Sequence, residues 1–249
     1  MASLKQYEVS DNALEKVPIE DAANADFSKY KKDDMTTTWC YIIDNKLTYI
    51  SQLNINNKIY GGFITEPYKS FLSHAKELSI KTIQIQNSFD CQIESFIGSD
   101  NFRINIIKQN IFDAFQLSKI NCVVFLIMSV ESFMNEIIPH NFTLKNKTKN
   151  DIEKTFNLKA KFKDIVPKIK QIDDTELYQN KYSQILTLND LRNSFIHLKT
   201  TNSENKLDPI LNDIEKILIL DIEAEYSKIE EFIQMVNQYQ NVEQKTEMK

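Results

Sequence analysis

The sequence predicts a mainly α protein, with a helical bundle over residues 99–240 behind a small α+β region at 1–98 that contains an antiparallel meander. Three observations predict it. The 249 residues include only three glycines, Gly61, Gly62 and Gly98, so turn-permissive positions are scarce and long helices joined by few loops follow. From Phe102 onward apolar residues recur at helical spacing, and residues 122–128 are apolar on every side, which marks a helix packed by neighbours all round. Ahead of residue 65, by contrast, β-branched and aromatic residues gather in three short runs separated by Asp/Asn turns. The composition, 42% apolar and 26% charged, is that of an ordinary folded chain, so neither disorder nor a disulfide scaffold is implied.

Each element can be read in order. Residues 1–33 are polar, with a short helix at 13–23. Residues 38–43, 47–53 and 58–64 form the meander, turning at Asp44-Asn45 and at 54–57. Pro67 fits the first turn of a helix to about Leu78, and the alternation at 81–86 reads as a returning strand. Gly98-Ser99-Asp100 breaks the chain, and Ser99 or Asp100 caps a helix over 102–138, interrupted near Ser118 and ended by Pro139. A third helix covers 150–169 with Pro167 distorting its end, a fourth 182–198, and a fifth 209–239. Residues 241–249 form a flexible polar tail.

The net charge of −5 argues against a general nucleic-acid coat protein. The charge is uneven: residues 141–170 hold nine lysines against Asp151, Glu153 and Asp164, a local +6 that leaves −11 elsewhere. Such a segment either steers a polyanion to one place or is a solvated helix face. Cys40, Cys91 and Cys122 are odd in number and have no paired spacing, and His74, His140 and His197 share no helix turn. Reduced thiols, no metal site and no cofactor are expected. The N-terminus lacks a basic stretch followed by an apolar one, and the longest apolar run falls short of the roughly 20 residues of a membrane span. A cytoplasmic protein without membrane contact is the expectation.

The informative segment is Leu188-Asn-Asp-Leu-Arg-Asn-Ser-Phe-Ile-His-Leu-Lys199. On a helical wheel of about 100° per residue, Leu188, Leu191, Phe195 and Leu198 form the core stripe. His197 lies about 100° or more away from it, Asn193 within about 40° of His197, and Arg192 at the edge between the two faces. The chain has 28 lysines and two arginines, Arg103 and Arg192. A planar, permanently charged fork suits a phosphate better than lysine does; a structural salt bridge to a carboxylate such as Glu131 is the other use for it.

Arg192-Asn193-Ser-Phe-Ile-His197 resembles the motif of the HEPN superfamily (higher eukaryotes and prokaryotes nucleotide-binding), an Arg, a polar residue that is often Asn, and a His after four to six intervening residues. Ser129-Val-Glu131-Ser-Phe133-Met-Asn135 is similar to the family's Glu-x-Phe-x-Asn helix. Phe156-Asn-Leu-Lys159-Ala-Lys-Phe-Lys163, with Ile165 and Pro167, is similar to its linking helix. The resemblance covers about 101–240 and leaves 1–98 out. It implies a HEPN-like helical bundle that forms a homodimer and brings two motifs together. It further implies a metal-independent endoribonuclease of a toxin–antitoxin, abortive-infection or other antiviral system, with RNA as substrate and an antitoxin or defence-system protein as a possible partner. Some relatives carry a Tyr two residues after the His, which a nucleotidyltransferase modifies; this chain has Lys199 there, which argues against that route of control.

The implied chemistry is physically sound. RNA carries its own nucleophile, the 2′-hydroxyl, beside each phosphate. His197 titrates in the range for acid or base work, and a dimer supplies one histidine for each task. Arg192 binds the equatorial oxygens as charge builds on them, and Asn193 orients the phosphate or His197. Glu131 and Asn135, one turn apart, read either as supports, with Glu131 holding Arg192 or the motif helix, or as a polar packing pair. Lys159, Lys161, Lys163 and Lys199 are the candidate RNA-contacting lysines. The alternative function is a non-catalytic nucleotide-binding or interaction subunit of a defence complex.

Overall fold

The computed structural model describes residues 6–8, 36–43, 46–56, 58–63, 66–99, 102–172, 175–196 and 207–239. The helix expected at 13–23, the tail at 241–249 and the segment containing His197, Leu198 and Lys199 lie outside the described residues. The architecture is mainly helical with small antiparallel sheets, and it divides into two units, Met1–Ser70 and Phe71–Lys249.

Among the described residues the first unit holds four strands, β1 (Gln6–Glu8), β2 (Thr36–Ile43), β3 (Lys46–Ile55) and β4 (Lys58–Phe63). The expected meander is β2–β3–β4. β3 lies in the middle: β2 runs antiparallel along one side, from Thr36 opposite Leu53 to Ile43 opposite Lys46. On its other side β1 pairs with residues 46–48 and β4 with residues 50–55. Asn56, at the β3–β4 turn, has a φ of 52°, a left-handed conformation that asparagine tolerates better than most residues.

The second unit departs from the sequence reading at its start. One helix, α1 (Pro67–Asn87), covers both the expected short helix and the expected strand at 81–86. Its buried positions Ala75, Ser79 and Thr82 fall at i, i+4 and i+7, so the apparent alternation belongs to a helix. After a 3-10 turn (Phe89–Gln92), β5 (Ile93–Ser99) and β6 (Phe102–Ile107) form a hairpin where the sequence predicted a helix start. Gly98 has a φ of 122°, and a Cβ there would strike the Phe102 carbonyl. Gly98 and Ser99 therefore belong to a hairpin strand and not to a helix N-cap, and Asp100 lies outside the described residues. Residues 71–98 group with the helices in the second unit.

The centre of the bundle is α2 (Gln109–Glu136), with Cys122, Val123, Leu126, Ile127 and Val130 at most 1% exposed. α1 lies against it through Thr82, whose hydroxyl donates to the Ser118 oxygen at 2.8 Å, and through the His74 ring edge-on to Phe125. Ser118 is thus a buried joint between helices, and the helix runs through it without the expected interruption. By length and composition α2 could cross a membrane; here it is the helix around which the others pack.

After β7 (Thr143–Leu144) and β8 (Lys147–Thr148), α3 (Lys149–Thr155) starts at Thr148 with a capping box to Asp151. The expected third helix then breaks at Phe156-Asn157. α4 follows as an α turn (Leu158–Ala160), a π turn (Lys161–Ile165) and a last α turn (Val166–Lys170). α5 spans Glu176–Ile196, starting earlier than expected. The expected fifth helix is two, α6 (Leu207–Ile219) and α7 (Ile222–Gln238), because the Asp221 carboxylate accepts from the Ala224 N–H and starts a new helix. The buried Lys119 ammonium closes the joint, donating to the carbonyls of Leu218 at 2.5 Å and Leu220 at 2.9 Å, where the α6 dipole ends negative. Core residues Ile185, Leu188, Ile229, Phe232 and Val236 put the inner faces of α5 and α7 against α2.

Cys122 provides a test of this core. It is fully buried, and burial pushes its thiol from an ordinary 9.0 up to about 12. As pH rises above 9 the unfolded chain releases this proton while the native chain keeps it, so the raised native value makes stability fall. Comparing wild type with Cys122→Ala cancels other titrations. Urea melts from pH 8 to 11 should show the wild type losing about 1.4 kcal/mol per pH unit relative to the variant above pH 9. Parallel curves would mean that Cys122 is solvated in the native protein.

Candidate functional site

The helices bring three of the singled-out residues into one network. Glu131 and Asn135 stand one turn apart on α2, and Arg192 and Asn193 lie in the last turns of α5, which packs on α2. The Arg192 Nη2 donates to Glu131 Oε1 at 2.8 Å, joining the two helices. Its Nη1 donates to the Asn193 side-chain oxygen at 3.0 Å. The guanidinium is largely covered, its side chain 15% exposed, whereas that of Glu131 is 41% exposed. The Arg192 Nε–H is buried and has no hydrogen-bond partner among the described residues, an uncommon condition for a strong donor.

These residues open onto a cavity of about 280 Å³ walled by α2, α3, α4 and α5. Lys161 also reaches it. The sequence reading set Lys161 with Lys159, Lys163 and Lys199 among the candidate RNA contacts. Lys159 and Lys163 are exposed, but Lys161 is 5% exposed and donates to the Asn135 Oδ1 at 2.6 Å and to the Glu153 carbonyl at 3.3 Å. Burial lowers its pKa, opposed by the charges of Glu131 and Glu153. A signal was present in the sequence: Lys161 lies three residues after Leu158 and four before Ile165, inside the apolar stripe of α4.

The π turn that carries Lys161 has a local cause. Val166 N–H donates to the Lys161 carbonyl, five residues back. In that register the next donor would be residue 167 and its acceptor Phe162, but Pro167 has no N–H. The Phe162 carbonyl is taken instead by the buried Tyr178 hydroxyl of α5, at 2.7 Å. Phe162, Tyr178, Tyr182 and Phe232 then pack their rings 5.2–6.1 Å apart beneath the turn.

The basic segment is divided in the fold. Lys161 and Lys170 are buried, Lys170 donating to the Tyr239 carbonyl beyond α7, and Lys149 donates to the Ile138 carbonyl beyond α2. Its remaining lysines are more open. A larger groove of about 720 Å³ lies between α5, α6 and α7, but four carboxylates, Asp190, Asp213, Asp221 and Glu225, line it against Lys216 and Lys228. A net negative, mostly apolar groove is a poor place for a polyanion. Among the described residues no group of three His, Cys, Asp or Glu is arranged for a metal.

Comparison of the chain with protein-family models, with curated proteins and with solved structures finds no match.

Proposed function

We propose that the chain is a metal-independent endoribonuclease of the HEPN kind that acts in antiviral defence, as an abortive-infection or toxin–antitoxin component. The observation that carries this reading is the Glu131–Arg192 pair. It joins two of the three segments on which the resemblance rests, and it holds a scarce guanidinium at a polar cavity beside Asn193. Arg192 takes a non-bridging oxygen of the scissile phosphate, Asn193 fixes its orientation, and His197 moves the proton. The substrate 2′-oxygen attacks phosphorus as its hydrogen is removed. The bond to the 5′-oxygen breaks, that oxygen takes a proton, and a 2′,3′-cyclic phosphate remains. A homodimer supplies two copies of His197, one for each transfer.

The experiment is direct. Purified wild type in EDTA should fragment RNA, while His197→Ala, with an unchanged melting temperature, should leave it intact. Intact RNA with both proteins, or equal cleavage by both, contradicts the proposal.

A further inference from the structure

The cavity at Arg192 is lined by hydrogen-bond donors, and this follows from which side-chain oxygens are already engaged. Asn135 Oδ1 faces an ammonium, Asn193 Oδ1 faces a guanidinium, and Asn157 Oδ1 caps the Ala160 N–H at 2.9 Å. Each partner can only donate, so each of these amides is fixed with its oxygen toward that partner and its NH2 left over. To these are added the unpartnered Arg192 Nε–H and the third proton of Lys161, which has two acceptors. The cavity carboxylates are engaged and wetter than the cations: Glu131 is paired with Arg192, and Glu153 lies 3.7 Å from Lys149 with its side chain 30% exposed. The cavity thus holds two cations that are more covered than its two carboxylates, and it is rich in donors.

We propose that this cavity is an oxyanion pocket in which Lys161 and Arg192 together hold a backbone phosphate of the RNA, making Lys161 a substrate-binding residue. The identity of the ligand rests on the ribonuclease reading; the donor-rich character of the pocket does not. An oxyanion accepts from donors of this kind, whereas a nucleobase brings donors of its own that would face the same N–H groups. The volume, about 280 Å³, admits a phosphate with its ester oxygens.

The test uses the full chain, with inorganic phosphate and a 2′-deoxy-substituted oligoribonucleotide as probes. Isothermal titration should show phosphate binding to wild type and at least tenfold weaker binding to Lys161→Met, which keeps the length of the buried side chain without its charge. Lys161→Met should bind the oligonucleotide at least tenfold more weakly, with a salt slope shallower by about one. Lys81→Met, which alters an exposed lysine of α1, should leave phosphate binding unchanged. If Lys161→Met has a lowered melting temperature, Asn135→Asp carries the test: it puts a carboxylate in the pocket and should weaken phosphate binding by a similar factor. Equal phosphate binding by wild type and both variants overturns the pocket, as does absence of phosphate binding by the wild type. Phosphate binding that depends on Lys161 in a protein that cleaves no RNA supports the pocket and removes the ribonuclease reading. Oligonucleotide binding alone affected, with phosphate binding untouched, overturns the assignment of Lys161 to a phosphate.

Discussion

Arg192→Ala should lower RNA cleavage by about 10²–10³-fold, the usual cost of removing one donor that stabilises a developing oxyanion. The same substitution should cost little stability. It leaves Glu131 without a partner, but that carboxylate is 41% exposed and water replaces the guanidinium; such pairs contribute about 0–1 kcal/mol. Glu131→Ala runs the other way. It strips one of two acceptors from a guanidinium whose side chain is 15% exposed and whose Nε–H already lacks a partner. It should cost about 1–3 kcal/mol. If Arg192 serves only to tie α2 to α5, the order is different: Arg192→Ala lowers the melting temperature and no activity changes. Kinetics and thermal melts on the two variants therefore separate a chemical role from a packing role.

Tyr178→Phe should produce the largest stability effect of any single-atom deletion near the site. The lost hydroxyl takes from the buried Phe162 carbonyl the donor that Tyr178 supplies. A cost of about 1–3 kcal/mol follows, read by urea unfolding. The origin of that orphan carbonyl at Pro167 makes a double-mutant cycle possible. Pro167→Ala returns an N–H to the turn, so in its background Tyr178→Phe should cost less by about 1 kcal/mol. Additive costs would show that the π turn does not depend on Pro167. Because Lys161 is the first residue of that turn, the cycle also probes how the pocket lysine is kept inward.

What the sequence revealed follows how local each signal was. The meander was visible because strands β2, β3 and β4 carry their β-branched residues and turn formers in adjacent runs. The association of Glu131 with Arg192 was legible, 61 residues apart, because a chain with two arginines and an apolar central helix leaves few places for either charge. The split between α6 and α7 should have been legible too: Asp221 followed three residues later by Ala224 is an N-cap, hidden by an apolar pattern that continues through it. The β5–β6 hairpin was missed for a different reason. Phe96, Ile97, Phe102 and Ile104 are exposed, so no buried face imposes the alternation from which strands are read.

The burial of Lys161 follows from the helix register. A run with lysines at 159, 161 and 163 suggests one wet face, yet on an α-helix successive even steps turn by about 200° and cannot share a face. The π turn then adds a residue to the turn, and only the tertiary bond from Tyr178 and the missing N–H of Pro167 explain it. Pro167 is the turn's one mark in the sequence, whereas the Arg192 Nε–H, unpartnered among the described residues, arises only where α2 and α5 meet.

The central claim is that RNA supplies the nucleophile and this chain supplies Arg192, Asn193 and His197 around it. The measurement closest to that claim is end-group analysis of cleavage products made in EDTA, run beside a substrate with 2′-deoxy at the cut position. The account predicts fragments ending in 2′,3′-cyclic phosphate and 5′-hydroxyl, and a deoxy substrate that is bound but left whole. Products carrying 5′-phosphate, or cleavage of the deoxy substrate, would contradict it.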